Sequence, residues 1–229
     1  ANIKLPGIKQ KFYAMEGLVS GPGLKLFAET WNSGGDVSQW YVDGVPTMLG
    51  DIDMTEVTEW VSIGTAERPW TGEFNGKGHK IINLKASQPL FGICDNATLK
   101  NIIFDETSTF EYVGKFSKDL YIAALALEIK NNTVVESCTN NSKVAIDAAA
   151  EASDLSIVAA GLVASVDATS KVSFCSNFGT ISIPNSCTTT GSESRSYVGG
   201  LVAYNQGIVE DCFNNGPISA SAQAVESYA

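Results

Sequence analysis

The chain has 229 residues, 44% of them hydrophobic and 17% charged, with 15 Lys and Arg against 25 Asp and Glu for a net charge of −10. That is enough apolar material for one sizeable core and too much for a disordered chain, while an acidic balance without basic runs excludes the clustered cations that nucleic-acid phosphates require. A single His, and 5 Cys without any Cys-x-x-Cys pair, exclude the common zinc sites.

No apolar run reaches the ~18 residues of a membrane-spanning helix. Residues 1–10 carry lysines but lack the apolar stretch of a signal peptide, so a signal either was removed or never existed. Low charge with abundant Ser, Thr, Asn and Gly fits secreted bacterial β proteins better than cytosolic enzymes. Leu24, Phe27, Ala28 and Trp31 follow the i, i+3, i+4, i+7 spacing of a short amphipathic helix, closed by Asn32-Ser-Gly-Gly35. Trp40 and Tyr41 follow in a Ser/Gly/Asp-rich loop, where an exposed indole would stack on a sugar. They are the candidate ligand contacts. Asp51 and Asp53 alternate around Ile52 and share one face of a strand. They could contribute to a Ca²⁺ site, which takes six to eight oxygens, but bonding to turn backbone is the preferred reading. His79 lies in a Gly-rich turn with no nucleophile or carboxylate placed by spacing, and reads as structural.

From there a repeat governs the chain. Cys138, Cys175 and Cys212 are 37 residues apart, as are Val135, Val172 and Val209, then Asn140, Asn177 and Asn214, then Val144, Ile181 and Ile218. Each copy is preceded by a run of small apolar residues: Ile122-Ala-Ala-Leu-Ala-Leu127, Val158-Ala-Ala-Gly-Leu-Val-Ala164 and Val198-Gly-Gly-Leu-Val-Ala203. Leu201 lies 39 residues beyond Leu162, so the intervening loop absorbs two. A weaker copy, Pro89-Leu-Phe-Gly-Ile93 with Leu99-Lys-Asn-Ile-Ile-Phe104, puts Ile102 at the cysteine position.

Short β-branched runs between Asn-Gly and Ser-rich turns read as strands. Parallel strands at this period without crossover helices make an all-β parallel β-helix, a solenoid in which like residues stack at about 4.8 Å. Val and Cys, three apart, share an inward face only if the chain bends between them. The helix then caps the first coil. One domain results: a cap over 1–50, opening coils over 51–104, and three 37-residue repeats over 105–229. Cys138, Cys175 and Cys212 form a buried, reduced ladder, leaving Cys94 and Cys187 as irregular thiols. Asn140, Asn177 and Asn214 stack as an amide ladder at a turn. Trp60 and Trp70 pack inward.

Gly50-Asp-Ile-Asp-Met54, Trp60-Val-Ser-Ile-Gly64 and Gly72-Glu-Phe-Asn-Gly-Lys-Gly-His-Lys-Ile-Ile-Asn-Leu84 resemble the opening coils of bacterial GLUG-repeat proteins. Ala160-Gly-Leu-Val-Ala164 and Gly199-Gly-Leu-Val-Ala203 are similar to the GLUG element, with Ala in place of its last glycine, and Cys212-Phe-Asn-Asn-Gly216 to the turn that follows it. The resemblance spans Leu24 to Ala220. It implies a right-handed parallel β-helix on secreted or surface proteins of gut Bacteroidetes, some of which are immunoglobulin A peptidases with a separate catalytic domain. Its motifs are structural and carry no catalytic residue, metal or cofactor.

The expectation is therefore a noncatalytic surface module for adhesion to a glycan or protein. One alternative is a polysaccharide lyase or hydrolase, which would need paired carboxylates. The outward positions Glu136, Ser173 and Glu210, then Ser137, Phe174 and Asp211, supply no matched set and no basic residue. Another is an assembly subunit that docks through the last coil.

Overall fold

The structure, a computed structural model, describes residues 17–184, 188–190, 193–221 and 223–224. Cys187 lies outside the described residues. The chain forms a β-solenoid whose strands, among the described residues, pair in parallel apart from an antiparallel hairpin of Tyr41–Val42 with Val45–Pro46. One coil shows the path. The chain runs from Leu120–Ile122 through Ala126–Lys130, Val134–Glu136 and Thr139–Asn140 into Lys143–Ser153. Each of these strands pairs with its counterpart one coil on.

The repeat read from sequence is the hydrogen-bonding register. Val135 pairs with Val172 and Val172 with Val209, Asn140 with Asn177 and Asn177 with Asn214, Val144 with Ile181 and Ile181 with Ile218. Ile103 pairs with Thr139, which sets Ile102 beneath Cys138. The bend between Val and Cys is a single residue in the left-handed region: Ser137, Phe174 and Asp211 have φ of 54°, 53° and 52°. That turn brings Val135 and Cys138, then Val172 and Cys175, into the core together. The two-residue surplus also resolves. Val166 pairs with Asn205, 39 residues on, but Lys171 pairs with Ile208, 37 on, because the Gln206-Gly207 turn is two residues shorter than its counterpart.

The helix α1 (Gly21–Asn32) starts at Ser20, whose Oγ accepts from the Gly23 N–H at 3.2 Å. It buries Leu24, Phe27 and Ala28 on the first coil, as the apolar spacing requires. Phe27 meets Trp40, Trp70 and Phe74 at 5.5, 5.6 and 6.1 Å between ring centres, and Trp31 stacks edge-on against Trp70 at 4.5 Å. Each fully buried ring contributes about 1.5–3 kcal/mol. The aromatic plug has a polar cost, since the Nε1 atoms of Trp31 and Trp70 are buried without a hydrogen-bond partner. From Ile122 onward the main core is filled with Val, Ile, Leu, Ala and Cys.

Small residues at Ala123-Ala124, Ala160-Gly161 and Gly199-Gly200 let the chain pass sharply between two sheets. One sheet stacks Leu120–Ile122, Ile157–Ala160 and Ser196–Gly199; the other carries Ala126–Lys130, Val163–Val166 and Val202–Asn205. Outside the main core a second cluster of Ala123, Val158, Ala160 and Ala164 fills the angle between these sheets, with Tyr197 and Ala203 packed against it.

Candidate functional site

Most of the residues singled out from sequence are occupied in holding the solenoid together. Trp40 sits in a short 3-10 turn with its ring edge-on to Phe27 and is 7% exposed; Tyr41 is half-buried. The indole does not offer a stacking face, because the polar composition around it belongs to a turn that folds back over the cap. Trp70 is fully buried, and Trp60 is buried with its Nε1 donating to the Pro89 carbonyl at 2.8 Å.

Asp51 and Asp53 flank the buried Ile52, both exposed, and both serve turns. Asp51 Oδ1 accepts from the Lys80 N–H at 2.8 Å. Asp53 Oδ1 accepts from the Thr55 N–H, the Thr55 hydroxyl and the Asn83 amide at 2.9, 2.6 and 3.0 Å. The Thr55 hydroxyl, then the Asn83 amide, hold the Asp53 carboxyl below the usual range. His79 closes its turn through its N–H to the Gly76 carbonyl and stands 3.6 Å from Asp51.

Cys94, Cys138, Cys175 and Cys212 are free thiols, and the last three stack as a ladder. The Cys138 N–H donates to Cys175 Sγ at 3.4 Å and the Cys175 N–H to Cys212 Sγ at 3.3 Å. Each thiol in turn donates to the carbonyl two residues back: Cys138 to Glu136, Cys175 to Ser173 and Cys212 to Glu210. Burial pushes the Cys94 and Cys138 thiols well up, so neither is a ready nucleophile. The amide ladder runs beside it: Asn140 Nδ2 donates to Asn177 Oδ1 at 2.8 Å and Asn177 Nδ2 to Asn214 Oδ1 at 2.7 Å. The second amide hydrogens of all three go to the carbonyls of Ser142, Gly179 and Gly216.

Two readings of the outward acids need correction. Ser173 is buried, and a basic residue does join the set, because Lys171 pairs with Glu210 across neighbouring coils.

The side chains left over for a ligand converge elsewhere. Tyr121 and Tyr197 lie two coils apart in one column, each in register with Val158 between them. Tyr204 belongs to the facing sheet, in register with Ser165 and, through it, Glu128. The rings of Tyr197 and Tyr204 meet at 5.5 Å and 70°. Together with Asp119, Glu193 and Arg195 they line a cleft of about 320 Å³. A further hollow of about 190 Å³ between Tyr121, Leu127 and Glu128 continues it. Tyr121 and Tyr204 are each 38% exposed.

Polar groups ring the aromatics. Arg195 donates weakly to the Tyr197 hydroxyl at 3.4 Å, Gln206 donates to the Tyr204 hydroxyl at 3.0 Å, and Asp119 Oδ1 accepts from the Ser156 N–H at 2.8 Å. Partial burial, then the Asp119 and Glu128 carboxylates, raise the Tyr121 phenol above its ordinary value. It stays protonated at neutral pH and keeps a hydroxyl to donate. Two depressions are larger: about 450 Å³ beside Trp60 and about 440 Å³ beside Asp51 and Asp53. Neither presents an exposed aromatic ring, which makes the tyrosine cleft the better candidate.

Among the described residues no group of three or more His, Cys, Asp or Glu could hold a metal ion, and no helix is long and apolar enough to cross a membrane. No family model matches the chain, and no curated protein matches it. Among solved structures it is similar in fold to the crystal structure of a "putative immunoglobulin A1 protease" from Bacteroides ovatus, with a TM-score of 0.51 and 15% identity over 88% of this chain and 76% of that one.

Proposed function

We propose that the chain is a noncatalytic β-solenoid module of a secreted or cell-surface bacterial protein of the GLUG-repeat kind, and that it binds an external partner through the tyrosine cleft. The observation that carries this reading is the convergence of Tyr121, Tyr197 and Tyr204 on the outer wall, held in place by main-chain ladders, while the Asn140, Asn177 and Asn214 amides bond one another. Rings fixed in this way lose little entropy on binding. Similarity in fold to a Bacteroides ovatus structure supports a surface-module setting. The test is a glycan and surface-protein array probed with the native chain and with Tyr121→Ala/Tyr197→Ala. Capture by the native chain that the variant loses supports the reading, and equal capture by both overturns it.

A second reading, assembly through the last coil, has its own observation. Val209 and Ile218 are 38% and 45% exposed, whereas Val172 and Ile181 beneath them are fully buried, and Ile208 and Phe213 are exposed as well. Sedimentation over a range of concentrations tests it: a concentration-independent monomer counts against self-assembly.

A further inference from the structure

The cleft's dimensions and charge narrow the class of partner, on the reading that it is the binding site. We propose that it takes a neutral oligosaccharide lying along the solenoid axis, with one sugar ring against Tyr121 and another against Tyr197.

The spacing comes from the fold. Tyr121 and Tyr197 occupy alternate rungs of one column, so their backbones are about two strand spacings, or ~9.6 Å, apart. The rung between them is Val158, short enough to leave a hollow between two rings. Alternate rings of an extended pyranose chain repeat on a similar length. Tyr204 stands nearly perpendicular to Tyr197, so the site offers a ring face and a ring edge at one point. Stacking on the CH face of a sugar uses the first, and the surrounding Asp119, Glu193, Gln206 and Arg195 can bond hydroxyls.

The same residues argue against other partners. Asp119, Glu193 and Glu128 outnumber Arg195, within a chain of net charge −10, so a polyanionic glycan meets repulsion. A peptide added as a strand needs a free sheet edge; Ile157–Ala160, the middle strand of the cleft wall, is paired on both sides, so a strand could add only beyond Leu120–Ile122 or Ser196–Gly199 and not between Tyr121 and Tyr197. The floor of Ala123, Val158, Ala160 and Ala164 is made of small, buried side chains.

Calorimetric titration of the full chain with tetrasaccharides of β-linked glucose, mannose, xylose and N-acetylglucosamine, and with polygalacturonate, tests the assignment. At least one neutral series should bind, tightening from mono- to tetrasaccharide, and polygalacturonate should not. Tyr121→Ala and Tyr197→Ala should each weaken binding about tenfold, while Tyr197→Phe, which keeps the ring, should stay within about threefold. Unchanged melting temperatures would show that the variants fold. Binding of polygalacturonate alone, or neutral binding indifferent to both alanine variants, overturns the assignment. If no neutral glycan binds but a surface protein is still captured through the tyrosines, the inference falls and the binding-module reading stands. If no partner depends on the tyrosines, both fall.

Discussion

Gly161 lies so close to Asn177 that a Cβ built on it would stand 2.7 Å from the Asn177 side-chain carbon, and 2.1 Å from the Gly200 carbonyl oxygen. The glycine of one repeat element and the amide ladder of the next turn are thus one packing unit. Gly200 stands in the same relation to Asn214, at 2.4 Å. In the preceding coil the equivalent place holds Ala124, which is fully buried.

Gly161→Ala should therefore destabilise the chain by overpacking, by about 2 kcal/mol. At this chain length that corresponds to a loss of roughly 4–8 °C in melting temperature. Ala124→Gly, made where a Cβ is already accommodated, should cost less. Calorimetry on the two variants decides it, and an unchanged melting temperature for Gly161→Ala would contradict the close packing.

The amide ladder makes a stronger claim about its middle rung. Asn177 accepts from Asn140 below and donates to Asn214 above, in full burial. Asn177→Ala leaves a buried donor on Asn140 and a carbonyl on Asn214 without their partners, and should cost about 3 kcal/mol. Asn214→Ala, at the exposed end of the same ladder, should cost clearly less. Chemical denaturation of both variants measures the difference, and equal losses would show that the ladder is not shared between coils.

Thiol reactivity should grade along the cysteine ladder. Cys94, Cys138 and Cys175 are buried, whereas Cys212 is only half-buried in the last complete coil. Alkylation of the native protein followed by peptide mass mapping should label Cys212 before Cys94, Cys138 and Cys175, which should react only at unfolding-limited rates. Rapid labelling of Cys138 and Cys175 would refute the buried ladder.

Acid should weaken the fold. Bonds from the Thr55 hydroxyl and the Asn83 amide hold Asp53 below the ordinary carboxylate value, and the Lys80 ammonium at 2.9 Å does the same for Asp105. A folded-state pKa below the unfolded one gives stability that is present above pH ~4 and is lost as pH falls through the folded value. Asp53 is exposed and Asp105 lies half-buried at the surface, so each effect is small. The melting temperature should fall between pH 5 and pH 3, and the fall should be shallower in Asp53→Asn/Asp105→Asn. An identical slope in that variant would assign the acid sensitivity to other groups.

The solenoid was legible because it writes itself into a one-dimensional period: Cys, Asn and Val return every 37 residues, since each stacks on its own kind. That the chain bends before each cysteine was legible for the same reason, from two inward residues three apart, whereas the left-handed residue that makes the bend was not. The cleft was not. Tyr121 and Tyr197 are 76 residues apart, which is 37 plus 39, so the two-residue surplus takes Tyr197 out of the regular step, and Val158 breaks the column between them. Tyr204 joins only through the angle between two sheets. Aligning the coils column by column after absorbing the surplus would have placed the first two tyrosines together. Trp40 misled in the opposite sense, because local polarity reports a turn and says nothing of whether that turn folds back onto Phe27.

The most direct measurement follows the fate of a captured partner. A glycan or protein retained from the array is incubated with the isolated chain, and its mass is read before and after, in parallel with Tyr121→Ala/Tyr197→Ala. A binding module predicts a partner recovered intact from the native chain and not retained by the variant; cleavage of the partner by the native chain would contradict it.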